Sequence, residues 1–176
     1  GATTQYKVKD GKIALSKGFG GNLFTKDQYD NFTLRFEFKL EAGTNNGLAI
    51  RWAGKGDPAW SAMELQILDN TAAKYAKLKE YQYHGSIYGA FPAKRGHLKP
   101  VGEWNVQEVT ADGSKIKVTL NDTVILDADL STNPKTKNPA RLKRTTGYIG
   151  FCGHNDPIEF RNIRIKKLPA PAAIAK

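Results

Sequence analysis

The sequence predicts an all-β fold, a two-sheet antiparallel sandwich or jelly roll, and three observations carry that prediction. Apolar residues recur at every second position through many short segments, clusters of Gly, Asn, Asp and Pro separate those segments, and no strong amphipathic helix competes with them. Side chains alternate between the two faces of a strand, so such a pattern marks a sheet with one face against a core.

The clearest case is F-T-L-R-F-E-F-K-L, where Phe32, Leu34, Phe36, Phe38 and Leu40 share one face and Thr33, Arg35, Glu37 and Lys39 the other. In G-L-A-I-R-W the same alternation turns Leu48, Ile50 and Trp52 inward and Arg51 outward. In M-E-L-Q-I-L-D it buries Met63, Leu65 and Ile67 and leaves Glu64 and Gln66 outside. Later candidate strands are W-N-V-Q-E-V-T, K-I-K-V-T-L-N, T-V-I-L-D-A-D-L, G-Y-I-G-F-C-G and I-E-F-R-N-I-R-I, with a hairpin turn at Asn121 to Thr123. Residues 72–83 have room for a helical turn. The expected organisation is one domain over residues 1–168, followed by a Pro- and Ala-rich flexible tail over 169–176.

Length supports this, since 176 residues suffice for one substantial core. No run of eighteen apolar residues occurs and no basic-then-apolar leader opens the chain, which predicts a soluble form with no membrane span. A leader already removed before Gly1 is compatible with the sequence. Cys152 is the single cysteine, so intramolecular disulfides and multi-cysteine zinc sites are excluded; flanked by Ile149 and Phe151, it reads as a small buried residue. The net charge is +10, but the lysines are scattered through turns and exposed strand positions without a nucleic-acid-binding signature, which argues for a solvated surface and no nucleic-acid partner.

If the successive strands are sheet neighbours, Glu37, Arg51, Glu64 and Gln66 form a polar patch on an open face. Around it lie the loops G-T-N-N-G, L-D-N, Y-H-G-S-I-Y-G and G-H-N-D. Carboxylates, amides and arginine match sugar hydroxyls, and the aromatic residues Trp52, Trp60, Tyr81, Tyr83, Tyr88 and Trp104 are available to pack on a pyranose face, with Trp52 assigned to the core by its alternation. Of the three histidines, His84 and His154 stand in turn-like contexts suited to acid, base or metal-ligand roles, whereas His97 sits in a basic loop. No H-E-x-x-H, phosphate loop, G-x-G-x-x-G or G-x-S-x-G occurs.

Six segments taken in order, L-F-T-K-D-Q-Y-D-N-F-T-L-R-F-E-F-K-L, N-N-G-L-A-I-R, M-E-L-Q-I-L-D-N, Y-H-G-S-I-Y-G, A-K-R-G-H-L-K-P-V-G-E-W-N and G-Y-I-G-F-C-G-H-N-D-P-I-E-F-R-N-I-R-I, resemble the 3-keto-disaccharide hydrolase domain family. The resemblance runs from about Tyr6 to Leu168. It implies a concanavalin-like jelly roll, bacterial and exported to the periplasm or beyond, acting in glycan degradation on glycosides oxidised to a ketone at C3. Two departures stand out: Asn155 where the family favours glycine, with the expectation that it tilts His154, and Asp122 where an Asn-Gly hairpin is usual.

A C3 ketone acidifies the hydrogen on C2, so the implied route is proton abstraction at C2, β-elimination of the C1 substituent, and hydration. The expected catalytic residues are Glu64 or His84 as base and His154 as acid or oxyanion partner. Arg51, Gln66, Asp69, Tyr88, Lys94 and Trp104 are the expected substrate-binding residues, and Arg51, Gln66 and Asp69 are placed to orient the sugar or, with a histidine, to hold a divalent cation. Direct hydrolysis by Glu64 with Glu37 or Asp69 is the alternative chemistry. A non-catalytic carbohydrate-binding module is the alternative function, and an adhesion domain a more distant one. Arg161 and Asn162 read as architectural, binding backbone groups at the sheet edge.

Overall fold

The computed structural model describes residues 5–132, 136 and 138–169; the expected tail past Pro169 lies outside the described residues. Two antiparallel sheets pack face to face. The larger has the order β1 (Lys7–Lys9), β2 (Lys12–Leu15), β11 (Ile158–Lys167), β4 (Phe32–Leu40), β7 (Trp104–Asp112), β8 (Lys115–Leu120) and β9 (Thr123–Asp129). The smaller has the order β3 (Gly20–Phe24), β10 (Tyr148–His154), β5 (Asn45–Trp52) and β6 (Met63–Leu68).

The alternation of β4 is realised as expected: its five apolar residues are buried while Arg35 stays exposed. They meet Leu48, Ile50, Met63, Leu65, Ile67 and Phe151 from the smaller sheet in one core. Phe32, Phe36, Phe38 and Phe160 are fully buried, and each contributes roughly 1.5–3 kcal/mol by leaving water. The β8–β9 hairpin turns at Asn121 and Asp122, both at positive φ (46° and 67°), so Asp122 adopts the left-handed geometry that glycine supplies elsewhere. Residues 72–83 hold two short 3₁₀ turns, Ala73–Tyr75 and Glu80–Gln82.

Two expectations are corrected. First, β4 is not a neighbour of β5 and β6; it belongs to the other sheet, so Glu37 faces the far side of the molecule from Glu64. There Arg161 Nε and Asn162 Nδ2 each donate to the Glu37 carboxylate at 2.7 Å, a side-chain partner in place of the backbone groups expected. Second, Trp52 points outward and stacks on Phe24, with ring centroids 4.1 Å apart. The cause is a β-bulge: Ile50 and Arg51 together oppose Ile149, Arg51 takes φ 53°, and the alternation resets after it.

Candidate active site

The outer face of the smaller sheet carries the site. On β6, Glu64 pairs across to Ala49 and Gln66 to Gly47, and on the other side of Gly47 stands Cys152 of β10. Since Leu65 and Ile67 face the core, alternation turns Glu64 and Gln66 to the outer side. The far edge of β6 is closed by the segment after His84: Gln66 N donates to Ser86 O, Gly85 N to Gln66 O, and Tyr88 N to Glu64 O. A strand covered in this way lies buried on both faces.

Glu64 is therefore only 2% exposed, yet it is not in the apolar core. Its carboxylate occupies space that Gly47 leaves open, for a Cβ on Gly47 would fall 1.9 Å from Glu64 Oε1. That oxygen is buried without a hydrogen bond of good geometry, and the His154 Nε2 lies 3.5 Å from it. The His154 side chain is 43% exposed. Its pKa is raised above the ordinary 6.5, chiefly by the Glu64 carboxylate, with desolvation opposing. A buried carboxylate that orients an accessible imidazole and strengthens it as a base is an arrangement suited to proton transfer. Asn155 after it sits at φ 65°, the left-handed conformation a glycine would take, so the departure is accommodated in the backbone. Gln66 Nε2 donates to Asn45 Oδ1 at 2.8 Å on the same outer face.

Beside the dyad is a residue the sequence did not single out. Arg141, in the turn Pro139–Lys143, is 1% exposed; burial lowers its pKa while the Glu64 charge opposes that shift. It donates to Ala59 O at 2.7 Å, to Ala62 O at 3.3 Å and to Tyr88 O. It thus ties the short helix α1 (Pro58–Ser61) to the loop that closes β6. Next to it opens a cavity of about 570 Å³ lined by Trp60, Lys79, Tyr81, Gln82, Tyr88 and Thr136. Arg141 sits in a segment of Pro, Lys and Arg without periodicity, so no sequence signal marked it.

Other expected site residues are placed elsewhere. His84 is 1% exposed inside the sandwich: its ring stacks on Phe38 at 5.2 Å, Leu68 N donates to its Nδ1 at 3.4 Å, and the Gln107 side chain is beside it. Burial lowers its pKa to about 4, and at 1% exposure this neutral imidazole is a core residue that a substrate does not reach. Arg51, 1% exposed, donates to the carbonyls of Asp30 (3.0 Å), Gly113 (2.8 Å) and Arg144 (3.3 Å), which makes it a clamp on three loops and not a sugar ligand. Asp69 is spent on a turn, accepting from Gly43 N, Thr71 N and Thr71 Oγ1. Trp104 lies on the outer face of the larger sheet under Arg161, whose guanidinium is 3.9 Å from the ring centroid. Lys94 is exposed beside β9. Tyr88 reaches the aromatic cavity with Trp60 and Tyr81, whereas Tyr83 is buried. Glu64 and Glu37 are on opposite outer faces, so they cannot act as a carboxylate pair.

Cys152 is buried, as expected, and burial pushes its thiol pKa well up. Among the described residues no group of three or more His, Cys, Asp or Glu side chains is arranged to hold a metal ion, and no helix is long and apolar enough to cross a membrane.

Comparison with known proteins finds relatives of this fold. A structure of a candidate glycosyl hydrolase from Parabacteroides distasonis is 32% identical, with a TM-score of 0.85 over 95% of this chain and 93% of that one. A Bacteroides thetaiotaomicron protein named 3-keto-disaccharide hydrolase is 30% identical over 205 residues, which span 94% of this chain and 71% of that protein. A carbohydrate-binding module, CBM66 from Bacillus subtilis, shares the fold at 13% identity, TM-score 0.60, over 95% of this chain and 96% of its own. With residues 1–166 matched by its family description, the chain belongs to the 3-keto-alpha-glucoside-1,2-lyase-like domain family.

Proposed function

We propose that this chain cleaves 3-keto-glycosides by β-elimination and hydration, with His154 as the proton-transfer group and Glu64 as its buried partner. The observation that carries the reading is the 3.5 Å approach of the accessible His154 Nε2 to the sealed Glu64 Oε1. Family membership and the name of the Bacteroides relative support the substrate class.

With Nε2 on the side of Glu64, 3.5 Å from its Oε1, the lone pair on Nδ1 is the base. It takes the proton from C2, and the C–H electrons form the enolate of the C3 ketone. Collapse of the enolate forms the C1–C2 double bond and breaks the bond from C1 to the glycosidic oxygen, which leaves with the electron pair. The imidazolium then returns its proton to that oxygen. Water adds at C1 and a proton at C2, restoring a 3-keto sugar. One imidazole thereby serves as base and then acid, with Glu64 stabilising the charged intermediate form.

Running the reaction in deuterium oxide tests the route. Elimination and hydration place deuterium at C2 of the released 3-keto sugar above the enzyme-free control; direct hydrolysis leaves the original hydrogen. A sugar-binding module remains the second reading, because the cavity of Trp60, Tyr81 and Tyr88 could hold a glycan without any chemistry. Binding of both a glycan and its 3-keto form with turnover of neither would select it.

A further inference from the structure

The cavity beside Arg141 has features that go beyond a general sugar groove. Three aromatic rings, those of Trp60, Tyr81 and Tyr88, face it, and Trp60 and Tyr88 meet edge to face at 5.8 Å. Its volume, about 570 Å³, is that of a site for a small organic molecule. Its polar groups are partly committed to one another. Gln82 is used at both ends, its Oε1 accepting from Lys79 N and its Nε2 donating to Tyr88 OH, each at 3.0 Å. Thr136 Oγ1 lies 3.5 Å from Arg141 Nη2. Among the described residues, the Lys79 ammonium, 5.9 Å from the Tyr81 ring centroid, is the one charge on the lining and has no carboxylate partner.

The cavity is also tied to the chemistry. Tyr88 N is bonded to Glu64 O, so the ring-bearing loop is in register with the strand that carries the carboxylate. Arg141 fixes that loop and helix α1, which carries Trp60, with one guanidinium.

Resting on the elimination reading above, we propose that this cavity is the leaving-group subsite and that it takes a planar aromatic aglycone bearing an acidic group. Rings stack on aromatic side chains without needing a hydroxyl partner at every carbon, whereas a second hexose brings a hydroxyl at almost every position. The unpaired Lys79 supplies the complement to a carboxylate. A phenolic leaving oxygen suits the reaction as well: a phenol, with a pKa of about 10, accepts the departing electron pair far more readily than an alcohol.

The test has a binding arm and a kinetic arm on the full chain. Calorimetry with 4-hydroxybenzoate, phenol and maltose as probes is expected to rank 4-hydroxybenzoate first, with about tenfold weaker binding in Tyr81→Ala. Lys79→Met should remove the advantage of 4-hydroxybenzoate over phenol. In kinetics, wild type should prefer a 4-carboxyphenyl 3-keto-glucoside to the methyl one, and that ratio should fall about fivefold in Lys79→Met. Lys79 is exposed and Tyr81 is half-buried on the open cavity wall, so neither substitution touches the core and both variants should fold. Maltose binding as well as 4-hydroxybenzoate, or a kinetic ratio that survives both substitutions, overturns the proposal. Cleavage of 3-keto-glucosides without any 4-hydroxybenzoate binding overturns the aryl subsite alone. Tyr81-dependent binding without cleavage of any 3-keto-glucoside defeats the elimination reading, while the aromatic-acid site stands.

Discussion

Glu64 Oε1 and His154 Nε2 stand 3.5 Å apart, and they differ sharply in access: the carboxylate side chain is 3% exposed and the imidazole 43%. A molecule from solvent can therefore meet the imidazole but not the carboxylate. Because the carboxylate stabilises the imidazolium, the His154 pKa lies above 6.5.

The pH dependence follows directly. His154 must be neutral to take a proton, so kcat/KM should rise with pH through a pKa above 6.5, the value of an unperturbed imidazole. Glu64→Gln removes the charge that favours the imidazolium, and the acid limb should move to lower pH as the rate falls. A pH–rate profile of both proteins checks this; coincident limbs would mean that the carboxylate does not act on the imidazole.

Gly47 makes the room for this pair. A methyl group there would sit 1.9 Å from Glu64 Oε1, so Gly47→Ala must push the carboxylate aside. Misplacement of a catalytic group by about 1 Å can lower rate on the order of a hundredfold. The expected result is a kcat/KM reduced by about that factor with the β-sandwich circular dichroism spectrum retained.

Much of the fold was legible in residues such as those of β4, because five apolar side chains at strict alternation leave one way to bury them. The outward phase of Glu64 and the exposed turn position of His154 were legible too. The strands β1, β2 and β3 were not, since they are only three to five residues long and β1 is wholly exposed, giving no alternation to read. Sheet membership was hidden too: alternation says which side of a strand is wet but not which sheet it joins, so Glu37 was grouped with Glu64 across the thickness of the sandwich. The bulge at Arg51 was invisible because a non-glycine residue in left-handed conformation carries no sequence mark, and it reversed both Arg51 and Trp52. His84 was misread because loop residues have no phase at all.

His84 should reveal itself in stability. Its pKa is about 4 in the folded protein against 6.5 unperturbed, so the unfolded chain binds a proton that the native state refuses. Its neutral form favours folding fully above pH 6.5, and that contribution is lost as pH falls toward 4, on the order of 3 kcal/mol across the window. Urea denaturation at several pH values should show this slope, and His84→Met should flatten it. The same slope in both proteins would place the titrating group elsewhere.

Arg51 separates a clamp from a ligand. Removing a buried guanidinium leaves the carbonyls of Asp30, Gly113 and Arg144 without their donor. Arg51→Ala should lose about 3 kcal/mol or more in denaturant titration. Loss of activity at unchanged stability would return Arg51 to the substrate.

Trp104, covered by Arg161 on the outer face of the larger sheet, is remote from the dyad. Trp104→Ala should keep kcat/KM within about twofold, the range of a substitution away from the chemistry.

The most direct measurement is kcat/KM of His154→Ala against wild type on one 3-keto-glucoside, with folding checked by circular dichroism. Loss of the proton-transfer group predicts a fall of about 10²- to 10⁴-fold. A folded His154→Ala protein that cleaves at the wild-type rate would contradict the assignment of the chemistry to this imidazole.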